Sequence, residues 1–432
     1  MTIVKKIKAG ALQFVLFIGA VVAILLMAFV LLSYTQSYFA KKTDLVIAVV
    51  KSASFGMDVS LDKKIPLEES IPIPSENKLG IEIKVGRELW GIFEKRTVTA
   101  VHGNIGTVKT ALVGGAYSDE IPALYVKDQK RPMVIAGNAK ITGAAYLPEK
   151  GLKAGNIYGN SYNRSQLVYG RTFQSDSVLP TIDDEIKQQI KTLTSMNYVP
   201  EGKLVTTFPE KELKNSFQSP TMIMQGHEVR LKDIALSGNI IISASHKIVV
   251  EASAKLQDVL LIAPKIEIKN WVKGTFQALA NTQITVGKKC ELYYPSALVV
   301  QKKTAFNIPS STVNPHSTSS TYKPSIYMDS YAEVGGVVAF LDDVEQQLFA
   351  PQIKIEENAK VTGEVYCAQN LELKGRVNGA VCTGAFMALE NGSIYQNHLY
   401  DGLVNSQNLH ASYCGLLMDK SDRTKKVMKW LY

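Results

Sequence analysis

The sequence predicts a mainly β protein on a membrane tether: an N-terminal transmembrane helix and stalk, a small β module, and a long, interrupted β-solenoid (β-helix). Three observations predict it. Residues Phe14 to Leu32, FVLFIGAVVAILLMAFVLL, form an unbroken apolar run. The segments Ile248-Val249-Val250, Ile266-Glu267-Ile268 and Ile284-Thr285-Val286 recur every 18 residues. The phrase NAKITGAAY at 138–146 returns as NAKVTGEVY at 358–366.

Residues 1–10 carry Lys5, Lys6 and Lys8 and read as a short cytoplasmic leader. Residues 11–34 read as a transmembrane helix in contact with the lipid bilayer. The apolar run spans ~28 Å at ~1.5 Å per residue, about one hydrocarbon core. It is too long for the apolar part of a cleavable signal, and LLSYTQSYFAKK offers no A-x-A site. Lysines before the helix, with Lys41 and Lys42 set beyond its far end, favour a cytoplasmic N-terminus. The expected location is a bacterial inner (cytoplasmic) membrane, crossed once, with the C-terminal domain extracytoplasmic.

Residues 35–55 read as an amphipathic stalk helix, with Leu45, Val46, Val49 and Val50 at helical spacing. A membrane helix that runs on into an amphipathic one resembles the N-terminal spine of type IV pilins and pseudopilins, over residues 1–55. The leader ending in KAG adds to the likeness. Val15 stands where that family usually carries an acidic residue.

Residues 56–130 are expected to form a small β-rich module. GIEIKVGRELWGIF alternates Ile81, Ile83 and Val85 on one side, and Trp90 is expected to pack in the interior. At 131–160 short β-branched pairs alternate with Gly and Asn, residue types that tolerate tight corners. These are expected to be the first solenoid turns. An insertion at 161–220 should hold a helix near Pro180, with Asp183 and Asp184 at its start and Ile186, Ile190 and Leu193 on one face.

Residues 221–412 are the expected main solenoid, with a Ser/Thr/Pro-rich loop at 305–330. A period of 16 to 20 residues fits one turn of a coil in which short strands pair with those of neighbouring turns. Ile248, Val250, Ile266, Ile268, Ile284 and Val286 are the expected structural ladder. Asn138, Gly143, Asn358 and Gly363 are the expected repeat corners. An ordinary β-sandwich with coincidental spacing is the competing architecture. The 16-residue offset of VTGEVY and VNGAVC places Cys367 opposite Thr383 and Cys382 opposite Tyr366, so the two thiols are expected to remain unbonded to each other. Residues 413–432 read as an exposed basic tail, or a docking peptide led by Trp430.

NAKVTGEVYCAQNLELKGRVNGAV, with its V-x-G and L-x-L-K-G cadence, resembles the polymer-forming bactofilins, over 350–385 and more faintly 131–160. That likeness implies a compact right-handed β-solenoid able to join end to end. This chain is far longer and carries insertions.

The net charge of +9 is concentrated at the ends. Residues 1–42 hold five lysines and no acid, 419–432 hold five basic residues against two acidic ones, and the body between is nearly neutral. A nucleic-acid groove needs positive charge clustered on a folded face, so no nucleic-acid partner is expected. The four cysteines, Cys290, Cys367, Cys382 and Cys414, show no zinc spacing. His102, His227, His246, His316, His398 and His410 show no paired-ligand motif. No catalytic, cofactor or metal site is expected. The sharpest catalytic candidate is Asp342-Asp343, but neighbours on a strand point to opposite faces. The sequence therefore predicts a non-catalytic structural, assembly or adhesion protein. Its expected partners are itself or other proteins, with a glycan as a further possibility. The alternatives are a minor pilin-like component of a type IV filament or secretion machine, and a carbohydrate-active β-helix enzyme.

Overall fold

The computed structural model describes residues 9–74, 79–117, 120–195, 198–206, 211–302, 323–342, 349–419 and 423–432. Lys5, Lys6 and Lys8 of the leader, 303–322 of the Ser/Thr/Pro loop, His316, Asp343, Lys420 and Asp422 lie outside the described residues. The protein is mainly β, with one long apolar helix and a large parallel sheet. Two compact units can be distinguished: residues 1–59, 71–85 and 98–108, and residues 60–70, 86–97 and 109–432.

In the first unit, helix α1 spans Ala9–Leu61. Its apolar residues from Leu12 to Leu32 are largely exposed, as a lipid-facing helix would be. Further on, Val49, Ala53 and Met57 are buried with Ile73, Ile81, Ile83, Val85 and Val98. Gly56 allows this close approach: a Cβ there would lie 2.9 Å from Val98 Cγ1. The helix thus runs six residues past the expected stalk end at 55. Phe55 to Leu61 contains no breaker after Gly56, and Pro66 is the first residue that bars continuation.

In the second unit the parallel sheet is built from columns of apolar partners. Ile248 pairs with Ile266, which pairs with Ile284, Ile326, Ile353 and Leu371 in turn. Val250, Ile268, Val286, Met328, Ile355 and Leu373 form the column beside it. Another runs Ile242, Leu261, Ala278, Leu298, Val338, Val365 and Val381. A further one runs Leu236, Leu256, Gly274, Leu292, Val334, Val361 and Val377. Their side chains, Gly274 aside, share one buried cluster. These pairings are parallel, unlike the antiparallel ladders of a β-sandwich. Cys367 pairs with Thr383 and Tyr366 with Cys382, and all four cysteines are free thiols.

The order of the columns differs from chain order. Val381 pairs onward with Leu124 and Leu124 with Ala145, while Val377 pairs with Val404 and Val404 with Ile141. Residues expected to be the first turns, 131–160, therefore adjoin the last strands of the 221–412 region rather than preceding its first. The 161–220 insertion also contributes strands to separate parts of the sheet. Thr172–Gln174 pairs with Ala145–Leu147, whereas Lys203–Leu204 and Glu212–Asn215 pair with Met222–Leu231 and Ala235–Gly238. The described stretch between them holds helix α2 at Asp184–Leu193. Asp183 caps α2 by accepting from the amides of Glu185 and Ile186, and Ile186, Ile190 and Leu193 are its buried face.

The C-terminal stretch differs too. Arg423–Leu431 is a strand, antiparallel to Ile105–Tyr117, and Leu431 is buried. It is not an exposed tail, because its alternate residues have partners elsewhere in the fold.

Candidate functional site

The repeated phrase marks equivalent positions of the ladder. Lys360 pairs with Arg376, Arg376 with Leu403, and Leu403 with Lys140. The corners are not identical in backbone. Asn358 is left-handed (φ +62°), but at the first phrase the preceding residue, Gly137, takes that conformation (φ +63°) and Asn138 does not. Asn138 instead donates its backbone N–H to Asp401 Oδ1 at 2.8 Å. Gly363 pairs with Gly336 and Gly379, and all three have φ between +134° and +149°. That left-handed column is what the V-x-G cadence encodes.

Strands buried on both faces read as continuous apolar runs, and Ile240-Ile241-Ile242 is one. Ile240 and Ile242 enter the interior cluster, while Ile241 faces a second one. This second cluster joins Ile241, Leu260, Leu279 and Val299 to Ile186 and Ile190 of α2, and to Trp90, Phe93, Leu416 and Leu431. Trp90 packs edge-on against Phe217 at 5.3 Å.

Gln277 and Glu364 are polar residues on this outer face, and each holds a neighbouring segment. Gln277 accepts from Ile92 N at 2.9 Å and donates to Trp90 O at 2.9 Å, across the turn at Gly91 (φ +62°). Glu364 accepts from Leu416 N at 3.0 Å and pairs with Arg423 at 2.7 Å. Arg423 also donates to Leu416 O and stacks 4.0 Å from the Tyr117 ring. Along the same strand Lys425 reaches Glu94 at 2.7 Å and Lys429 reaches Asp258 at 2.6 Å. Glu94 is fully buried and also meets Arg96 and Arg87. Burial alone would raise its pKa, but Arg96, Lys425 and Arg87 hold it below the ordinary carboxylate value.

Glu372 is the opposite case. Its side chain is 1% exposed and lies 3.6 Å from Lys354 and 4.0 Å from Lys374, and among the described residues neither oxygen has a partner at hydrogen-bond distance. Burial pushes its carboxyl up, outweighing the pull of the two lysines. A carboxyl with a raised folded pKa binds its proton more tightly when folded. Its ionised form therefore costs stability as pH rises from the ordinary carboxylate value through the raised one. Lys354 keeps Glu356 and Lys374 keeps Glu390 as partners if the charge is lost. Glu372→Gln is expected to raise the melting temperature near neutral pH, the gain vanishing toward about pH 4. A lower melting temperature near neutral pH would contradict this.

A cleft of about 550 Å³ lies between the end of α2 and the outer surface of strands Met222–Leu231 and Ile240–Val250. Thr194, Ser195, Tyr198, Gln225, Ser243 and Asn281 supply its polar lining. Ser245, also on its wall, bonds His227 Nδ1 at 2.9 Å. His227 stacks on His246 at 5.4 Å, and His246 Nε2 lies 3.6 Å from Glu228. A nucleophile beside a base needs a third group orienting that base. Here the carboxylate approaches His246 rather than His227, so the arrangement is not an assembled triad. The sequence carried no signal for this cleft, because its residues come from five separate segments with no motif.

Of the acidic pair considered for glycan cleavage, Asp342 accepts from Gln369 Nε2 at 2.7 Å. Among the described residues no group of three or more His, Cys, Asp or Glu could hold a metal ion. Burial pushes the Cys290 thiol up to about 11 and Cys367 to about 12, and raises Cys382 further. None is poised as a thiolate nucleophile.

No family model, curated protein or solved structure matches the chain.

Proposed function

We propose that the protein is a non-catalytic scaffold, anchored in a bacterial cytoplasmic membrane by α1 and carrying a β-solenoid on the extracytoplasmic side. The observation that carries this reading is the register itself. Ile248, Ile266, Ile284, Ile326 and Ile353 are successive parallel partners, which fits a coil whose turns cover one another's apolar sides. The bactofilin-like cadence fits the same reading. The exposed apolar half of α1 supports the anchor.

A second reading, a minor component of a pilin-type filament or secretion machine, is favoured by one observation. Helix α1 is a single helix, Ala9–Leu61, apolar and exposed first and packed on strand residues later. That division of labour fits a pilin-like spine.

Both readings require an integral anchor with the body across the membrane. The full chain is expected to stay with membranes through alkaline carbonate extraction, and its β portion to be cleaved by protease added outside spheroplasts. Release by carbonate, or full protection from external protease, would reject both. Sedimentation in detergent, with and without pilin-like proteins of the host, separates self-assembly from incorporation.

A further inference from the structure

We propose that the cleft beside α2 binds a short neutral oligosaccharide. Its volume of about 550 Å³ falls within the ~300–1,000 Å³ usual for small-ligand sites. Among the described residues that line it there is no Asp, Glu, Lys or Arg, so an ionised ligand would find no countercharge among them. A wholly apolar ligand would strand the hydroxyls and amides of the lining, which is costly. The Gln225 amide, the Ser243 hydroxyl and the Tyr198 hydroxyl have no hydrogen-bond partner among the described residues. Ile262, on the outer face, adds an apolar floor, and Tyr198 a half-buried aromatic wall. Hydroxyls and amides around an aromatic and aliphatic surface match a sugar, which offers hydroxyls at its edge and C–H groups on its faces.

The cleft is held in shape by its own bonds. Asn281 Nδ2 donates to Thr194 O at 3.0 Å, tying the end of α2 to the strand region. Thr194 Oγ1 donates to Ile190 O at 2.8 Å, and Tyr198 N to Ser195 O at 3.1 Å. Backbone and wall are therefore arranged before any ligand arrives, which lowers the cost of binding.

The test uses the full chain in a detergent without a sugar headgroup. Maltotriose and tri-N-acetylchitotriose serve as probes, one without and one with acetamido groups. Saturation-transfer NMR and calorimetry are expected to show saturable binding of at least one, below about 10 mM. Tyr198→Ala is expected to weaken it about tenfold or more, and Gln225→Ala measurably. Gln225 is exposed, so its variant should fold even if Tyr198→Ala does not. Absence of saturable binding for both probes overturns the proposal, as does wild-type affinity in the variants. Neither result bears on the scaffold reading, which rests on the anchor and the register.

Discussion

Arg423→Ala is expected to cost about 3–5 kcal/mol, the usual penalty for removing one partner of a buried ion pair. The Glu364 side chain is 5% exposed and Arg423 11% exposed, so neither charge has water to fall back on. With Arg423 gone, Glu364 keeps the Leu416 amide at 3.0 Å but no cation. The cation–π contact with Tyr117 and the bond to Leu416 O go as well. Denaturant unfolding measures the loss. The informative comparison is the double variant Arg423→Ala with Glu364→Gln, which keeps an acceptor for Leu416 without the buried charge. It is expected to be more stable than Arg423→Ala alone. Equal loss in both would show that packing, and not the stranded carboxylate, sets the penalty.

The second large effect lies in the glycine column. Gly363→Ala asks an alanine to hold φ near +143° and places its Cβ against the Gly336 carbonyl oxygen and 2.6 Å from Tyr413 Oη. The backbone conformation alone costs on the order of 1–3 kcal/mol, and the collision adds to it. Relief would require the two strands to part, breaking the bond from Tyr413 Oη to Gly336 O at 3.0 Å. Gly80→Ala is the control. It also has positive φ (+64°), but its Cβ would meet nothing within 4 Å, so it should lose only the conformational part. If the two variants unfold at the same denaturant concentration, close packing of this column is not what requires glycine.

These variants also show what the sequence could and could not reveal. The β character and the apolar helix were legible, because a 19-residue apolar run and an 18-residue recurrence are both local statistics. The helix α2 was legible down to Ile186, Ile190 and Leu193, since a capped amphipathic turn declares itself. The order of the columns was not. Strands as short as Leu124–Val126, Lys140–Thr142 and Thr172–Gln174 have no period of their own. Nothing local says that Leu124 lies beside Val381. The basic C-terminus misled for a related reason. Arg423, Lys425 and Lys429 look like solvated charge until Glu364, Glu94 and Asp258 are brought to them from distant parts of the chain. The cleft was invisible because hydroxyls and amides scattered over residues 194–281 form no pattern.

The parallel in-register stack is the claim on which the scaffold reading rests, and a cysteine-pair experiment tests it most directly. Thr285 and Tyr327 are register partners on neighbouring strands, separated by the 303–322 segment. Parallel neighbours lie about 4.8 Å apart, within disulfide reach. Thr285→Cys with Tyr327→Cys is expected to crosslink on mild oxidation, while Gln283→Cys with Tyr327→Cys, two residues out of register, is not. A peptide map showing the off-register crosslink, or neither, would contradict the account.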